Sequence, residues 1–383
     1  MPPQGHPCRR DRLLHSSTVW HPGNQVSVTS PPNRLAYLDW LRGAAVLIMI
    51  QTHVFNSMTR TDLHGSAGYM LSQFIGGMAA PLFLFMAGVT LAFRIDSRER
   101  RGYTPVRLFR DSLSRAGYIF VVAILFRLQL WVFQFQLSDW RNVLRVDILN
   151  CMALALAIGS TVALLPRARW FSASVILGSL IAGVAPLVAS LDWSGLPWPV
   201  RNYLVPAPNC FSLFPNGAYV PLGLAAGFVL RNVAAEALGM VLRWVAIIGF
   251  GLVSAGHYFS NLPFSIYPQS DFWRTSPGLI VIRTGIMLLG LALAYLCTRV
   301  HIIGSAQIQQ LGITSLLVYW VHVELVYGYA LGLWKKQLVP LQSALLAAAV
   351  MILMYWLSVA KTRWLSSFNW RDAFSPRIPV PRV

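Results

Sequence analysis

Charge is what this chain has least of. Only 11% of its 383 residues are Asp, Glu, Lys or Arg, against about 25% in a typical soluble domain. So few charges cannot cover a soluble surface, and 56% of the residues are hydrophobic. Acids are the scarcest group, 13 against 31 Lys and Arg, which leaves a net charge of +18. In a soluble protein that excess would suggest nucleic acid. Placed between long apolar runs, it reads as the topology signal of a membrane protein, and no nucleic-acid partner is expected. Cysteine is sparse too. Cys8, Cys151, Cys210 and Cys297 form no CxxC pair, and two of them fall inside apolar runs, so neither a disulfide framework nor a zinc site is indicated. HxxxH, HExxH and G-x-S-x-G patterns are missing, and the G-x-G of "GFGLVSAG" lies inside an apolar run rather than in a nucleotide loop. No metal is expected. Internal repeats of the kind built into many secondary transporters are absent as well.

What is present is a series of apolar runs near the roughly 20 residues needed to cross a hydrocarbon core. Charges, Pro and Gly bound ten of them, near 36–58, 68–93, 113–135, 146–165, 171–191, 216–231, 241–260, 277–298, 311–331 and 341–360. The expected fold class is all-α, a polytopic integral membrane helix bundle of about ten transmembrane helices, since a bilayer admits only structures that satisfy their own backbone. Residues 1–33 carry Pro, Ser, His and Arg but no apolar core of a signal peptide, and read as a disordered cytoplasmic tail. Residues 34–360 form the membrane domain, and 361–383 a basic, Pro-rich cytoplasmic tail. With the N-terminus inside, 21 basic residues fall on cytoplasmic segments, 7 on the opposite side and 3 (Arg42, Arg127, Arg283) within spans. That bias puts both termini in the cytoplasm. Two outward loops, 192–215 and 261–276, are rich in aromatics and Pro; they suit a cap over a cavity and a plain interfacial loop equally.

Ionisable groups inside such spans are costly, and each is a candidate for function. The stretch "LDWLRGAAVLIMIQTH" places Asp39 and Arg42 at the cytoplasmic mouth of the first helix. His53 lies 14 residues beyond Asp39, about 21 Å further along the axis. Gln51, Thr52 and Asn56 surround it in sequence, and His64 follows in the loop "TRTDLHGSAG". Other polar groups reach the same depth: Arg145, Asp147 and Asn150 in "RVDILN", Asn216, and His322 and Glu324 in "YWVHVELVYGY". Arg127 and Arg283 sit deeper. Structural readings stand beside these. His322 suits an interhelical hydrogen bond, Asp39 and Arg42 at i and i+3 suit a structural pair, and Asp147 suits the neutralisation of Arg145 or another buried Arg. His322 and Glu324, at i and i+2, point to different faces of one helix.

The pieces "RLAYLDWLRGAAVLIMI", "APLFLFMAGVTLAF", "RVDILNCMALAL", "FPNGAYVPLG" and "LGITSLLVYWVHVELVYG" resemble the heparan-α-glucosaminide N-acetyltransferase catalytic-domain family and its bacterial relatives. The opening R-x-x-x-L-D-x-x-R-G is partly shared with the broader membrane acyltransferases. In the characterised branch a histidine in the first outer loop supports acetyl transfer, with an Asn eleven residues before it. By position His64 matches that histidine and His53 takes the place of the Asn. The resemblance implies an acyltransferase, with acetyl-CoA or another acyl-CoA as co-substrate on the cytoplasmic side and a sugar or glycan acceptor outside. It also implies a bacterial inner membrane, with the lipid bilayer and a homodimer as partners. Acyl transfer needs a base near neutral pH, which His supplies, and donors where the oxyanion develops.

These expectations assign His53, His64, Asp147 and Glu324 to catalysis. His53 is the base on its rigid helix, Asp147 or Glu324 its orienting partner, and His64 an acceptor contact or alternate base. Asp39 and Arg42 would meet the donor. Asn56, Arg145, Asn150, Asn216, Arg283 and His322 would line the polar cavity. The competing expectation is a proton-coupled transporter or flippase-like bundle relaying protons through the same His and Asp residues.

Overall fold

The computed structural model describes residues 35–133, 139–205, 210–267, 270–300 and 302–367. The expected tail 1–33, and the tail 361–383 beyond Ser367, lie outside the described residues. Among the described residues no strand occurs. The chain runs through α1 (Ala36–Met58), α2 (Ala67–Gly76), α3 (Ala79–Glu99), α4 (Pro105–Phe133), α5 (Ile148–Ser160), α6 (Trp170–Ser190) and α7 (Trp198–Leu204). It continues through α8 (Leu213–Asn216), α9 (Tyr219–Arg231), α10 (Leu238–Ser260), α11 (Pro277–Arg299), α12 (Ser305–Ile313), α13 (Ser315–Tyr327) and α14 (Pro340–Ser367).

Local sequence explains the boundaries. Pro occupies the first position of α4, α11 and α14, where its missing N–H costs nothing and its fixed φ suits the helix. Ser276 caps α11 by accepting from the Gly278 amide at 3.2 Å. Asp147 caps α5 and forms a reciprocal box with Asn150, which satisfies amides that would otherwise be orphaned in an apolar setting.

Two expected helices are broken. The second divides at Gly77 and Met78 into α2 and α3, and the ninth divides at Thr314 into α12 and α13. At the second break a polar cluster does the work: Gln310 donates to the Ser358 carbonyl at 3.1 Å, and Thr314 and Ser358 share their hydroxyls at 2.6 Å. Ser358 Oγ also reaches the Gln310 carbonyl at 3.0 Å, so α14 satisfies a backbone group freed by the break while α12 and α13 both pack on it.

Eight helical segments among the described residues are long and apolar enough to cross a membrane. Neither α1 nor α13 is one of them; α13 is only a shorter apolar helix of 13 residues. Both are instead enclosed by protein. Of the 23 residues of α1, 13 are buried, and α2, α3, α11, α12, α13 and α14 pack around it. By contrast α10 buries only Leu242, Gly249 and Gly256. It turns Trp244, Ile247, Ile248, Phe250 and Phe259 outward, as a lipid-facing helix must.

Where helices meet, glycine lets backbones touch, the small-residue packing favoured in membranes. A methyl on Gly43 would lie 1.8 Å from the Ile308 carbonyl oxygen, and one on Gly312 would lie 1.9 Å from that of Asp39, so α1 and α12 interlock from both sides. We therefore expect Gly312→Val to destabilise the bundle, because overpacking costs about 1–3 kcal/mol or more where backbone cannot yield. Gly251→Ala, with nothing within 4 Å of its added methyl, should leave stability unchanged or slightly raised. Thermal unfolding in detergent compares the two, and equal midpoints would refute the close-packing account.

Candidate active site

The polar residues divide between two regions joined by α1. At the end where α1 begins, Arg42 pairs with Asp39 at 3.0 Å and donates to Thr90 Oγ1 at 3.2 Å. This is the structural pair their spacing suggested. The same guanidinium lines a cavity of about 350 Å³ between α1, α3, α4, α5, α12 and α13, together with Thr90, Arg94, Arg115, Tyr118 and Tyr319. Arg94 is held by Asp111 at 2.9 Å, and Arg98 pairs with the same carboxylate. Counting Arg115, four arginines face two aspartates at this mouth, which remains positive and suits an anionic ligand.

Tyr319 is part of the lining of this cavity. Its hydroxyl donates to Asp147 Oδ2 at 3.0 Å, and the same carboxylate faces Arg127 Nε at 3.6 Å. Both charged side chains are nearly enclosed, at 13% and 15% exposure. Asp147 also accepts from its own helix at the Ile148 amide, 2.6 Å away. It thus neutralises Arg127 and caps α5.

Beyond Tyr319 lies the second region. His53 Nδ1 stands 3.0 Å from His322 Nε2, with the rings stacked at 5.2 Å. His322 is fully buried, and its Nδ1 lies 2.7 Å from the Val318 carbonyl oxygen one turn back. Tyr319 reaches the pair edge-on, 6.0 Å from His322. Tyr327 does the same from the far side, 5.3 Å from His53, and its hydroxyl accepts from Asn56 Nδ2 at 3.3 Å. No hydrogen bond falls on His53 Nε2 among the described residues.

The loop between α13 and α14 closes this end. Lys335 donates to the Tyr327 carbonyl at 2.7 Å and Lys336 to that of Asn56 at 2.5 Å. Each ammonium thus meets carbonyls at a helix C-terminal end, where positive charge is favoured. Partial burial lowers both lysine pKa values below their usual range. Lys336 holds a left-handed backbone, φ 57°, a conformation that costs a non-glycine residue energy and is maintained by the surrounding contacts.

The remaining expected site residues are placed elsewhere. The orienting partner foreseen for His53 was Asp147 or Glu324, but the neighbour found is His322. Asp147 is engaged by Arg127 and Tyr319, one ring away. Glu324 faces another side of α13, lining a crevice with Gln129, Phe133 and Trp320, as its i+2 offset from His322 dictates. His64 stacks on Tyr69 at 4.1 Å and donates from Nε2 to the Thr59 carbonyl at 3.3 Å; no bond joins it to the pair. Asn150 ties α5 to α7 through Tyr203 at 3.2 Å. Asn216 bonds the Ser212 carbonyl at 3.3 Å, Arg283 lies against the buried Tyr219 hydroxyl, and Arg145 stands within electrostatic range of Tyr327. Tyr319, Tyr327 and Lys336 were not foreseen. Two tyrosines in "VYWVHVELVY" at i−3 and i+5 from His322 were the available signal, hidden among interfacial aromatics.

The profile of the family described as heparan-alpha-glucosaminide N-acetyltransferase, catalytic, matches residues 34–258. That is more than half of the chain. The chain belongs to this family. No curated protein matches it. Membership makes it a membrane protein of an acetyltransferase-like family. Within it, α1 with Arg42 and His53 lies inside the matched segment, as does Asp147, whereas α13 with His322 lies beyond it. Among the described residues no group of three His, Cys, Asp or Glu side chains could hold a metal ion.

The Arg127–Asp147 pair yields a stability test. Arg127→Met leaves a buried carboxylate and Asp147→Asn a buried guanidinium, each expected to cost about 3–5 kcal/mol. The double variant keeps the α5 cap, because Asn also caps well, and should unfold near the wild-type temperature. Additive losses would refute the pairing.

Proposed function

We propose that this protein is a membrane acyltransferase that moves an acyl group, acetyl in the simplest case, from acyl-CoA to a sugar or glycan acceptor across the bundle. The observation that carries the reading is the joint arrangement of a basic cavity and a histidine base on one helix. Arg42 and His53 are 11 residues apart on α1, about 16 Å along its axis, and family membership supplies the class of reaction. Family membership also favours this over proton-coupled transport.

In this reading the phosphates of the donor meet Arg42, Arg94 and Arg115 at the mouth, and the acyl end extends past Tyr319 toward the histidines. His53 Nε2 takes the proton of the acceptor's hydroxyl or amine. The new C–O or C–N bond forms as the thioester C–S bond breaks, and the leaving thiolate regains a proton. The Tyr327 hydroxyl accepts from Asn56, so its own hydrogen is directed elsewhere and suits an oxyanion beside His53. His64 and the 328–339 loop stand where an acceptor would approach. The 21-to-7 distribution of basic residues supports a cytoplasmic donor mouth, cytoplasmic termini and an acceptor side facing outward. In a bacterium this is the inner membrane.

Three measurements test it. Loss of a general base typically costs about 10²–10⁴ in rate. His53→Ala should therefore lose that much CoA release from acetyl-CoA while still binding the donor, and His64→Ala should lose less. The reverse ranking would move the base to His64. Arg42→Ala should weaken donor binding and leave acceptor KM unchanged; unaltered donor affinity would leave Arg42 only its pairing with Asp39. A cysteine at position 64 should react with impermeant reagent on intact cells, and labelling only after lysis would invert the orientation.

A further inference from the structure

His322 lies outside the segment matched to the family and is fully buried, yet it is the only hydrogen-bonding partner of the His53 ring among the described residues. We propose that His322 is a positioning residue that holds His53 in the tautomer protonated at Nδ1 and then accepts that proton, so the base is a two-histidine relay. The proposal rests on the reading of His53 as base.

The proton positions follow from the acceptors. The Val318 carbonyl oxygen can only accept, so His322 Nδ1, 2.7 Å away, carries a hydrogen and donates. A neutral His322 then has its lone pair on Nε2. That nitrogen faces His53 Nδ1 at 3.0 Å, and two lone pairs would repel, so His53 donates from Nδ1. The lone pair of His53 is thereby fixed on Nε2, the nitrogen without a partner. A resting His322 cation is disfavoured, since its side chain reaches no water and the nearby carboxylate of Asp147 already serves Arg127 and Tyr319. The second nitrogen's hydrogen bond decides which histidine nitrogen reacts. Here a carbonyl on α13 makes that choice for a ring on α1, through an intervening histidine.

The step balances without any further reagent. The acceptor's O–H or N–H proton passes to His53 Nε2, and the Nδ1 proton of His53 passes to His322 Nε2. His53 is then neutral and His322 carries the positive charge only transiently, its Nδ1 hydrogen still on Val318, because the burial that disfavours a resting cation there drives the proton back. The reverse transfer returns a proton to the leaving thiolate.

Histidine ¹⁵N NMR of the full-length protein in nanodiscs reads the tautomer directly, with His53→Gln assigning the resonances. Wild type should show His53 protonated at Nδ1, and His322→Ala should shift it toward the Nε2 form. A wild-type His53 protonated at Nε2 overturns the proposal whatever the activity. Turnover is read as CoA release from acetyl-CoA with glucosamine as the probe acceptor. His322→Gln places an amide oxygen near the lost Nε2; it should preserve the tautomer and donor KM yet lower kcat by at least about tenfold, because an amide cannot take the proton. A His322→Gln kcat equal to wild type overturns the relay. If His53→Ala keeps full turnover, the base reading fails. If His53→Ala is inactive while His322→Ala keeps both tautomer and kcat, only the relay fails.

Discussion

The structure depends on keeping α1 away from lipid. Gln51, Thr52, His53 and Asn56 lie on one helix with Asp39 and Arg42, and each would expose polar groups to hydrocarbon if that helix stood at the rim. Six other helices enclose it, and glycine contacts at Gly43 and Gly312 bring α12 to its backbone. Enclosure by protein is the condition on which ionisable groups persist at this depth. The outer helices then carry the lipid-facing surface: α10, with only three buried residues, touches its neighbour α11 along a seam of Leu242, Gly249 and Gly256.

Enclosing α1 also gives the bundle a polar axis with two different ends. Arginines outnumber aspartates around the cavity mouth, while the other end holds the stacked rings of His53 and His322 and, in the loop that closes it, Lys335 and Lys336. Between them, Tyr319 lines the cavity, with its hydroxyl on Asp147 and its ring edge against His322. The Arg127–Asp147 pair behind it removes two charges from the field seen by the histidines. The basic cavity and the histidine pair are thus kept apart along one helix.

Much of the scaffold was readable before any coordinates. The range 36–58 for α1, the starts of α11 and α14 at proline, and the pairing of Arg42 with Asp39 all rest on local chemistry: apolar length, a missing amide, an i, i+3 offset. So does the divergence of His322 and Glu324, which a two-residue step on a helix enforces. The break at Thr314 was not readable, because it is stabilised by Ser358 on another helix. Nor was the role of Asp147 as partner of Arg127, since either of several arginines could have reached it.

By itself the sequence determined that this is an all-helical membrane bundle, and which helices carry ionisable groups within their apolar runs. Those properties follow from hydropathy and helical rise, which act over tens of residues. Only the tertiary structure decided that His53 meets His322, 269 positions away, rather than Asp147, Glu324 or His64. Rotation of α13 about its own axis chooses which face meets α1, and that rotation is fixed by glycine contacts, the Thr314 break and the lysine-tied loop acting together. No local periodicity records that choice, because a turn of about 100° per residue carries any of three neighbouring side chains into the same gap.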